Sequence, residues 1–311
     1  MKILITGALG HIGSRLIHSL KPGQFEEVIL LDNLMTQRYS SLFHLPKGVL
    51  FKFFEKDICT ADLNEYFKGV HAVIHLAAIT DAASSFNKKE MVEETNYSGT
   101  EKVARACIQN GCRLVFPSTT SVYGTQKESV DENCSVEELK PQSPYAESKL
   151  KAEQLLIQLG NEKKLNFIIG RLGTIFGTSI GMRFHTAVNK FVWQACLKQP
   201  ITVWKTAMNQ KRPYLDLNDA ISALLFIIKK DLFPNQVYNI VTANSTVKEI
   251  LDLIKISIPH LNVEYVDSPI MNQLTYTVSN EKIKKQGFVF KGNLRKGIQD
   301  TIKLLKGVVE K

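Results

Sequence analysis

Cysteine is scarce and unpatterned in this 311-residue chain: Cys59, Cys107, Cys112, Cys134 and Cys196 make an odd number, with no C-x-x-C pair among them. Such usage argues against a disulfide frame or a zinc cluster and suits reduced thiols, so the sequence predicts no metal and a cytoplasmic location. Long apolar runs are missing as well. The longest, near "ISALLFII", falls far short of the roughly 20 residues that a membrane span needs, and "MKILITGALG" runs into glycines without a signal-type cleavage region. Repeats, low-complexity segments and Pro/Gly-rich linkers are absent, so the parts of the chain are expected to pack together rather than hang on tethers. Acidic residues are outnumbered, 30 against 39 lysines and arginines, for a formal charge of +9. That charge alone would suit nucleic acid. Yet Lys284, Lys285, Lys291, Lys303 and Lys306 read as solvated helix faces, and no nucleic-acid motif accompanies them.

What is present is alternation. "KILIT", "EVILLD", "LFKFFE", "HAVIHLAA", "RLVFPST" and "FIIGRL" each read as a buried strand, with amphipathic helices between them. The helices include "HIGSRLIHSL", "MVEETNYSGTEKVARACIQNG" stopped at Gly111, and "SPYAESKLKAEQLLIQLG" capped by Ser143 ahead of Pro144. Strand alternating with helix predicts an α/β fold, a Rossmann-type doubly wound parallel sheet. After Gly177 the alternation loosens. The division expected is a dinucleotide-binding domain over residues 1–176, with a returning segment near 205–242, and a smaller C-terminal substrate lobe over 177–311.

Gly7, Gly10 and Gly13 follow "KILIT" directly and lead into the helix that opens with His11 and Ile12. A strand–turn–helix of this kind presents backbone N–H groups and the positive end of a helix dipole to a pyrophosphate, and glycines keep side chains out of its way. Asp32 ends the next strand, ahead of Asn33, about 20 residues after the turn, where a carboxylate meets the ribose hydroxyls of NAD and repels the 2′-phosphate of NADP. NAD is the cofactor predicted. Arg15, inside the helix, reads as a solvated residue.

Tyr145 and Lys149 in "SPYAESK" leave one face of a helix, and "FPSTTSVYG" ends a strand at the carboxyl edge of the sheet, where ligands of such folds bind. At this point the sequence resembles the extended short-chain dehydrogenase/reductases, specifically the NAD-dependent nucleotide-sugar epimerase/dehydratase family, UDP-glucose 4-epimerase-like. The resemblance rests on "TGALGHIG", "LDN", "KDI", "HLAA", "STTSVYG", "PQSPYAESK", "RLGTIFG" and "QKRPYLDLNDA", in the family's order. It implies Tyr145 as catalytic base, Lys149 as its electrostatic partner and Thr119 as the hydroxyl that bonds the reacting sugar oxygen. It also places Asp57 and Ile58 beside the adenine, Leu76, Ala77 and Ala78 along the cofactor, and Asn96 behind the lysine. A homodimer through the helices "MVEETNYSGTEKVARACIQ" and "SPYAESKLKAEQLLIQL" follows from the same resemblance. Physically, a phenol of pKa about 10 acting near neutrality needs a depression of roughly 3 units, or about 4 kcal/mol. One ammonium at about 4 Å in an effective dielectric near 20 supplies a comparable amount.

The resemblance implies hydride transfer at C4 of a nucleotide-diphosphate sugar through a 4-keto intermediate. Thr120 and Ser121 stand where the family's dehydratases carry an acidic pair, which disfavours dehydration. Oxidation and re-reduction of one carbon remains, as in 4-epimerases, with a 4-dehydrogenase or keto-reductase as the alternative and a non-catalytic NAD-binding scaffold as the rival of another class. Arg212 matches the family arginine that forks onto the substrate diphosphate, Asn189 is a second phosphate candidate, and Arg183, His185 and Thr80 are candidates for the sugar. His75 reads as a satisfied strand histidine. UDP, GDP, CDP and dTDP all stay open as the nucleotide.

Overall fold

The computed structural model describes residues 1–124, 128–162, 164–267, 275–305 and 307, so Lys306 lies outside the described residues. Seven parallel strands build the central sheet: β1 (Lys2–Thr6), β2 (Glu27–Asp32), β3 (Phe51–Glu55), β4 (Ala72–His75), β5 (Arg113–Thr119), β7 (Phe167–Leu172) and β11 (Gln236–Ile240). Their order is β11-β7-β5-β4-β1-β2-β3, so the winding reverses between β1 and β4. Ligands of doubly wound sheets bind at the carboxyl ends of the strands beside such a reversal. The six strands expected from sequence are all here. One differs in character: "FKFFE" alternates between half-buried and exposed instead of being buried, because β3 is the sheet's edge.

Layers of helix cover both faces of the sheet. Helices His11–Ser19 and Leu217–Lys229 pack on one side, through Leu16, Ile17, Leu224 and Ile227 against Ile3, Ile5 and Leu30. Helices Gly99–Asn110 and Pro144–Asn161 close the other, through Val103, Cys107, Ala152 and Leu156 against Leu4, Val73 and Phe116. Buried on both faces, the inner strands read as continuous apolar runs. Ser143 caps the second helix as its sequence predicts, its Oγ accepting from the Ala146 amide with Pro144 at the first turn. Gly111 ends the first in the left-handed region at φ 67°. The single helix expected ahead of Gly111 is interrupted, however: Lys89–Glu93 passes into a π-helical turn over Glu94–Ser98 before Gly99. That turn buries Asn96, whose amide the site uses.

Beyond β7 the chain bends out of the central sheet at Gly173. A smaller sheet follows, made of β8 (Thr174–Phe176), β10 (Lys211–Asp216) and β12 (Ala243–Thr246) in the order β12-β10-β8. Two strand pairs complete the set, β9 (Ile201–Trp204) with β13 (Val263–Val266), and β6 (Ser129–Val130) with β14 (Thr277–Val278). This half has its own core of Phe176, Val188, Val192, Ile201, Ile250 and Ile298. Before that half begins anew at β12, β11 returns to the central sheet beside β7. Among the described residues no helix is long and apolar enough to cross a membrane.

Candidate active site

The glycines are required by close approach. Gly7 sits at φ +62°, and a Cβ there would meet the Ala77 amide nitrogen at 2.5 Å; one on Gly13 would meet the Ala8 carbonyl oxygen at 2.4 Å. Gly10 caps the His11–Ser19 helix with no side-chain bond, and no acidic residue stands in the first turn. The N–H groups and positive end of that helix are thus available to an anion, which fits a dinucleotide pyrophosphate. The Asp32 carboxylate at the end of β2 accepts from the Leu9 amide at 3.0 Å and the Leu34 amide at 2.9 Å, which pins the glycine turn to the ribose side. Asn33 donates to Asp57 Oδ2 at 2.9 Å, and the Cys59 amide to Oδ1 at 2.7 Å. Burial works against the Asp57 carboxylate, but these donors hold it below its ordinary range. The Ile58 side chain is core, packed on Gly99, so only its backbone can face an adenine. Ile12, Leu76 and Ala78 line the cleft, while the Ala77 amide donates to Thr6 Oγ1. Arg15 is spent on Asn218.

His11 carries an unforeseen link. Its Nδ1 lies 2.8 Å from Ser179 Oγ, joining the glycine turn to the second lobe, and its Nε2 is buried with no partner. Burial first, then the charge of Arg183, lowers its pKa to about 3.

Tyr145, Lys149 and Thr119 converge where β5 ends over the Pro144–Asn161 helix, and all three line one cavity of about 490 Å³. Thr119 Oγ1 accepts from the Ser121 amide at 3.1 Å, which leaves its proton for the cavity that Tyr145 also lines, and its hydroxyl acts on the phenol. Burial raises the phenol's pKa, opposed by the guanidinium of Arg183 and by the Thr119 hydroxyl. Lys149 differs from expectation. Its Nζ donates to the Pro117 carbonyl at 2.9 Å and lies 4.5 Å over the Phe116 ring, and burial lowers its pKa to about 7 against the field of Glu153. Arg183 also places a positive charge near the phenol. Asn96 does not touch the lysine itself: its amide brackets the backbone of Ile79 and donates to Ser148 Oγ at 3.0 Å.

Below the site, Arg171 grips the Glu153 carboxylate through Nε and Nη2, the latter at 2.7 Å, and Ser118 donates to the same carboxylate. This buried pair ties β7 to the helix of Tyr145 and to the end of β5. Sequence reasoning missed it because Glu153 lies outside every quoted motif, and Arg171, although it opens "RLGTIFG", carries no local sign of a partner on a helix. His75 behaves as its sequence reading said. The Thr100 hydroxyl gives its proton to the Asn96 carbonyl and so accepts from Nε2, while Thr6 meets Nδ1 at 2.7 Å; the ring is buried, neutral and lowered to about 3.

The second lobe supplies the cleft's outer wall. Arg212 lies 5.2 Å over the Tyr276 ring and donates to Gln210 at the cavity wall. Asn189 is a correction: it is fully buried, and its amide is spent on the Gly177 backbone and the Arg183 carbonyl, so it braces the 177–183 loop instead of facing a phosphate. The next residue, Lys190, lines the cavity and donates to Thr202 Oγ1 at 2.9 Å. Helix phase, which the sequence leaves open by one residue, put the wrong neighbour forward. Thr120 and Ser121 both line the cavity, although the Thr120 hydroxyl donates to the Leu172 carbonyl. Thr80 accepts from Arg183, and His185 stands at the rim, lowered to about 4 by burial and by Arg183.

The chain is similar to proteins of known kind. It is 29% identical to a trifunctional UDP-glucose 4,6-dehydratase, 3,5-epimerase and 4-keto-L-rhamnose reductase of Arabidopsis thaliana over 96% of this chain, and spans 46% of that protein's length. An uncharacterized UDP-glucose epimerase of Bacillus subtilis is 29% identical over 82% of this chain and 81% of its own. Among solved structures, a UDP-glucuronic acid 4-epimerase of Bacillus cereus, bound to UDP-glucuronic acid and NAD, superimposes with a TM-score of 0.87 at 25% identity, over 98% of this chain and 99% of that one. The UDP-glucose 4-epimerase of Thermus thermophilus, bound to NAD, gives 0.84 at 26% identity, over 99% and 100%. The family's sequence model matches residues 3–241, from the first strand through the last strand of the central sheet, and the chain belongs to the NAD dependent epimerase/dehydratase family.

Proposed function

We propose that the protein is an NAD-dependent nucleotide-sugar 4-epimerase or closely related oxidoreductase. The observation that carries this reading is the convergence of Thr119, Tyr145 and Lys149 on one 490 Å³ cleft between the glycine turn and the cations of the second lobe. Tyr145 takes the proton of a sugar hydroxyl, and Thr119 gives its single hydroxyl proton to that same oxygen, orienting it. Bound NAD supplies the hydride acceptor and, when oxidised, a fixed positive charge near the phenol. Lys149 holds positive charge behind the cofactor face, and Arg212 with Lys190 answers the substrate diphosphate. Asp81 is the sole carboxylate among the described lining residues, which leaves no acidic pair for dehydration and supports reversible chemistry at one carbon.

The same reading takes NAD over NADP through Asp32, and treats 1–176, with the β11 return, as the cofactor domain and 177–311 as mainly the substrate lobe. It takes the protein as a homodimer joined through the Gly99–Asn110 and Pro144–Asn161 helices, supported by the exposure of Met91 and Ile157 beside them. That the cysteines form no disulfide among the described residues supports a cytoplasmic location. The test is absorbance at 340 nm and product analysis with purified protein, NAD and a panel of UDP-, GDP-, CDP- and dTDP-sugars. A scaffold would bind NAD and change neither.

A further inference from the structure

Arg183 is the least satisfied cation of the cleft. One Nη donates to Thr80 Oγ1, but Nε is buried with no acceptor, and none of the ion pairs found among the described residues includes it. Its neighbours do not neutralise it. Asp81 acts on it only at a distance, with its own Oδ1 held by the Ala83 and Ser84 amides, while Arg38 adds positive field and His11 and His185, neutral at their lowered pKa values, bring no negative charge. A guanidinium stays charged, and a desolvated N–H left unpaired is costly, so a fold keeps one where a ligand completes it.

The cleft's charges are distributed in a way that identifies the ligand. Arg212 and Lys190 line its outer wall, and the glycine turn with its bare helix start meets the cofactor's phosphates. The substrate diphosphate and the cofactor are therefore answered without Arg183. Arg183 instead lines the same cavity as Tyr145, the residue placed at the C4 hydroxyl, and its charge acts on that phenol. In a pyranose the atom next to C4 is C5, and its substituent is a hydroxymethyl group in a neutral hexose and a carboxylate in a uronic acid. We propose that Arg183 is the receptor for that carboxylate, and that the substrate is a nucleotide-diphosphate uronic acid. The planar fork of an arginine, with one Nη on Thr80 and Nε open, matches the two oxygens of a carboxylate. A hydroxymethyl group would leave the charge buried and unpaired.

This inference rests on the oxidoreductase reading, and the test separates the two. Matched pairs that differ only at C6, UDP-glucuronate with UDP-glucose and GDP-mannuronate with GDP-mannose, are given to the NAD-loaded protein, and kcat/KM is measured with dissociation constants by calorimetry. In the pair whose nucleotide is accepted, the acid is expected to exceed the neutral sugar by about 10- to 100-fold, the worth of a charge-assisted bond. Arg183→Gln should bring that ratio toward unity, Arg183→Lys should retain part of it, and the affinity for the bare nucleoside diphosphate should change far less. A neutral sugar used as well as the acid overturns the inference and leaves the oxidoreductase reading standing, and this wild-type ratio decides even if Arg183→Gln does not fold. Equal weakening of nucleoside diphosphate and uronate overturns it too, by making Arg183 a phosphate contact. No reaction with either pair while a neutral CDP- or dTDP-sugar is turned over overturns the inference alone, and no absorbance change and no product from any sugar of the four-nucleotide panel overturns both readings.

Discussion

Lys149 stands one helical turn beyond Tyr145, yet its ammonium bonds the carbonyl of Pro117 at 2.9 Å, while the phenol shares the cavity wall with Thr119. The two residues of the Y-x-x-x-K pattern thus lie on a common face without sharing a hydrogen bond. The lysine is a desolvated charge held by a strand, and the tyrosine a desolvated phenol beside a hydroxyl.

Tyr145→Phe keeps the ring and removes the proton acceptor. Turnover of the accepted sugar should fall by roughly 10²–10⁴-fold, the usual worth of general acid–base catalysis, while melting temperature and NAD content stay near wild type. Near wild-type turnover in the folded variant would move the base to another residue, with Asp81 and His185 the next to test.

Lys149 titrates near 7 in the folded chain, against an ordinary value of 10.5 that the unfolded chain keeps. Between those values the unfolded state binds more protons, so this group's contribution to stability rises with pH, by at most about 1.4 kcal/mol per unit. Urea unfolding at pH 7, 8 and 9 should show that rise in the wild type and a flatter profile in Lys149→Met. Parallel profiles would mean that the buried lysine keeps its proton.

His75 titrates in the opposite range. Its folded value of about 3 lies below the ordinary 6.5, so stability is present above 6.5 and is lost as pH falls toward 3. His75→Asn should be less stable than wild type near pH 7 but lose less on going from pH 6.5 to 4.5. Equal loss in both proteins would assign the acid sensitivity elsewhere.

The Glu153–Arg171 pair should be worth most when broken. Arg171→Met leaves a buried carboxylate uncompensated, and a loss of about 3–5 kcal/mol is expected by urea denaturation, whereas Glu153→Met with Arg171→Met together should cost less than either single change. Additive losses would show that the two side chains act independently.

Gly181 joins the lobes. A Cβ there would lie 2.6 Å from the Leu9 carbonyl oxygen and 2.8 Å from that of Gly10, and its amide donates to Ser14 Oγ. Gly181→Val should therefore displace the glycine turn, weakening NAD binding by tenfold or more in fluorescence titration alongside a stability loss of about 1–3 kcal/mol. Unchanged NAD affinity would show that the turn tolerates the shift.

The sequence by itself determined the order of strands and helices, because a strand buried on both faces must be apolar throughout and a helix that covers it must be amphipathic. It also determined the glycine turn, since Gly7 and Gly13 stand where a Cβ would enter backbone, and the helix bounds at Ser143 and Gly111, where capping chemistry is local. Only the tertiary structure decided which way individual side chains turn. Asn189 and Lys190 are adjacent on one helix, and packing on the Gly177 loop, not composition, buries the first and exposes the second to the cleft. Arg183 and Tyr145 are far apart in the chain, as are Glu153 and Arg171, and no local rule pairs them. Electrostatic fields act through space in a medium that the fold itself dries, so the environment of the phenol became legible only once both lobes were in place.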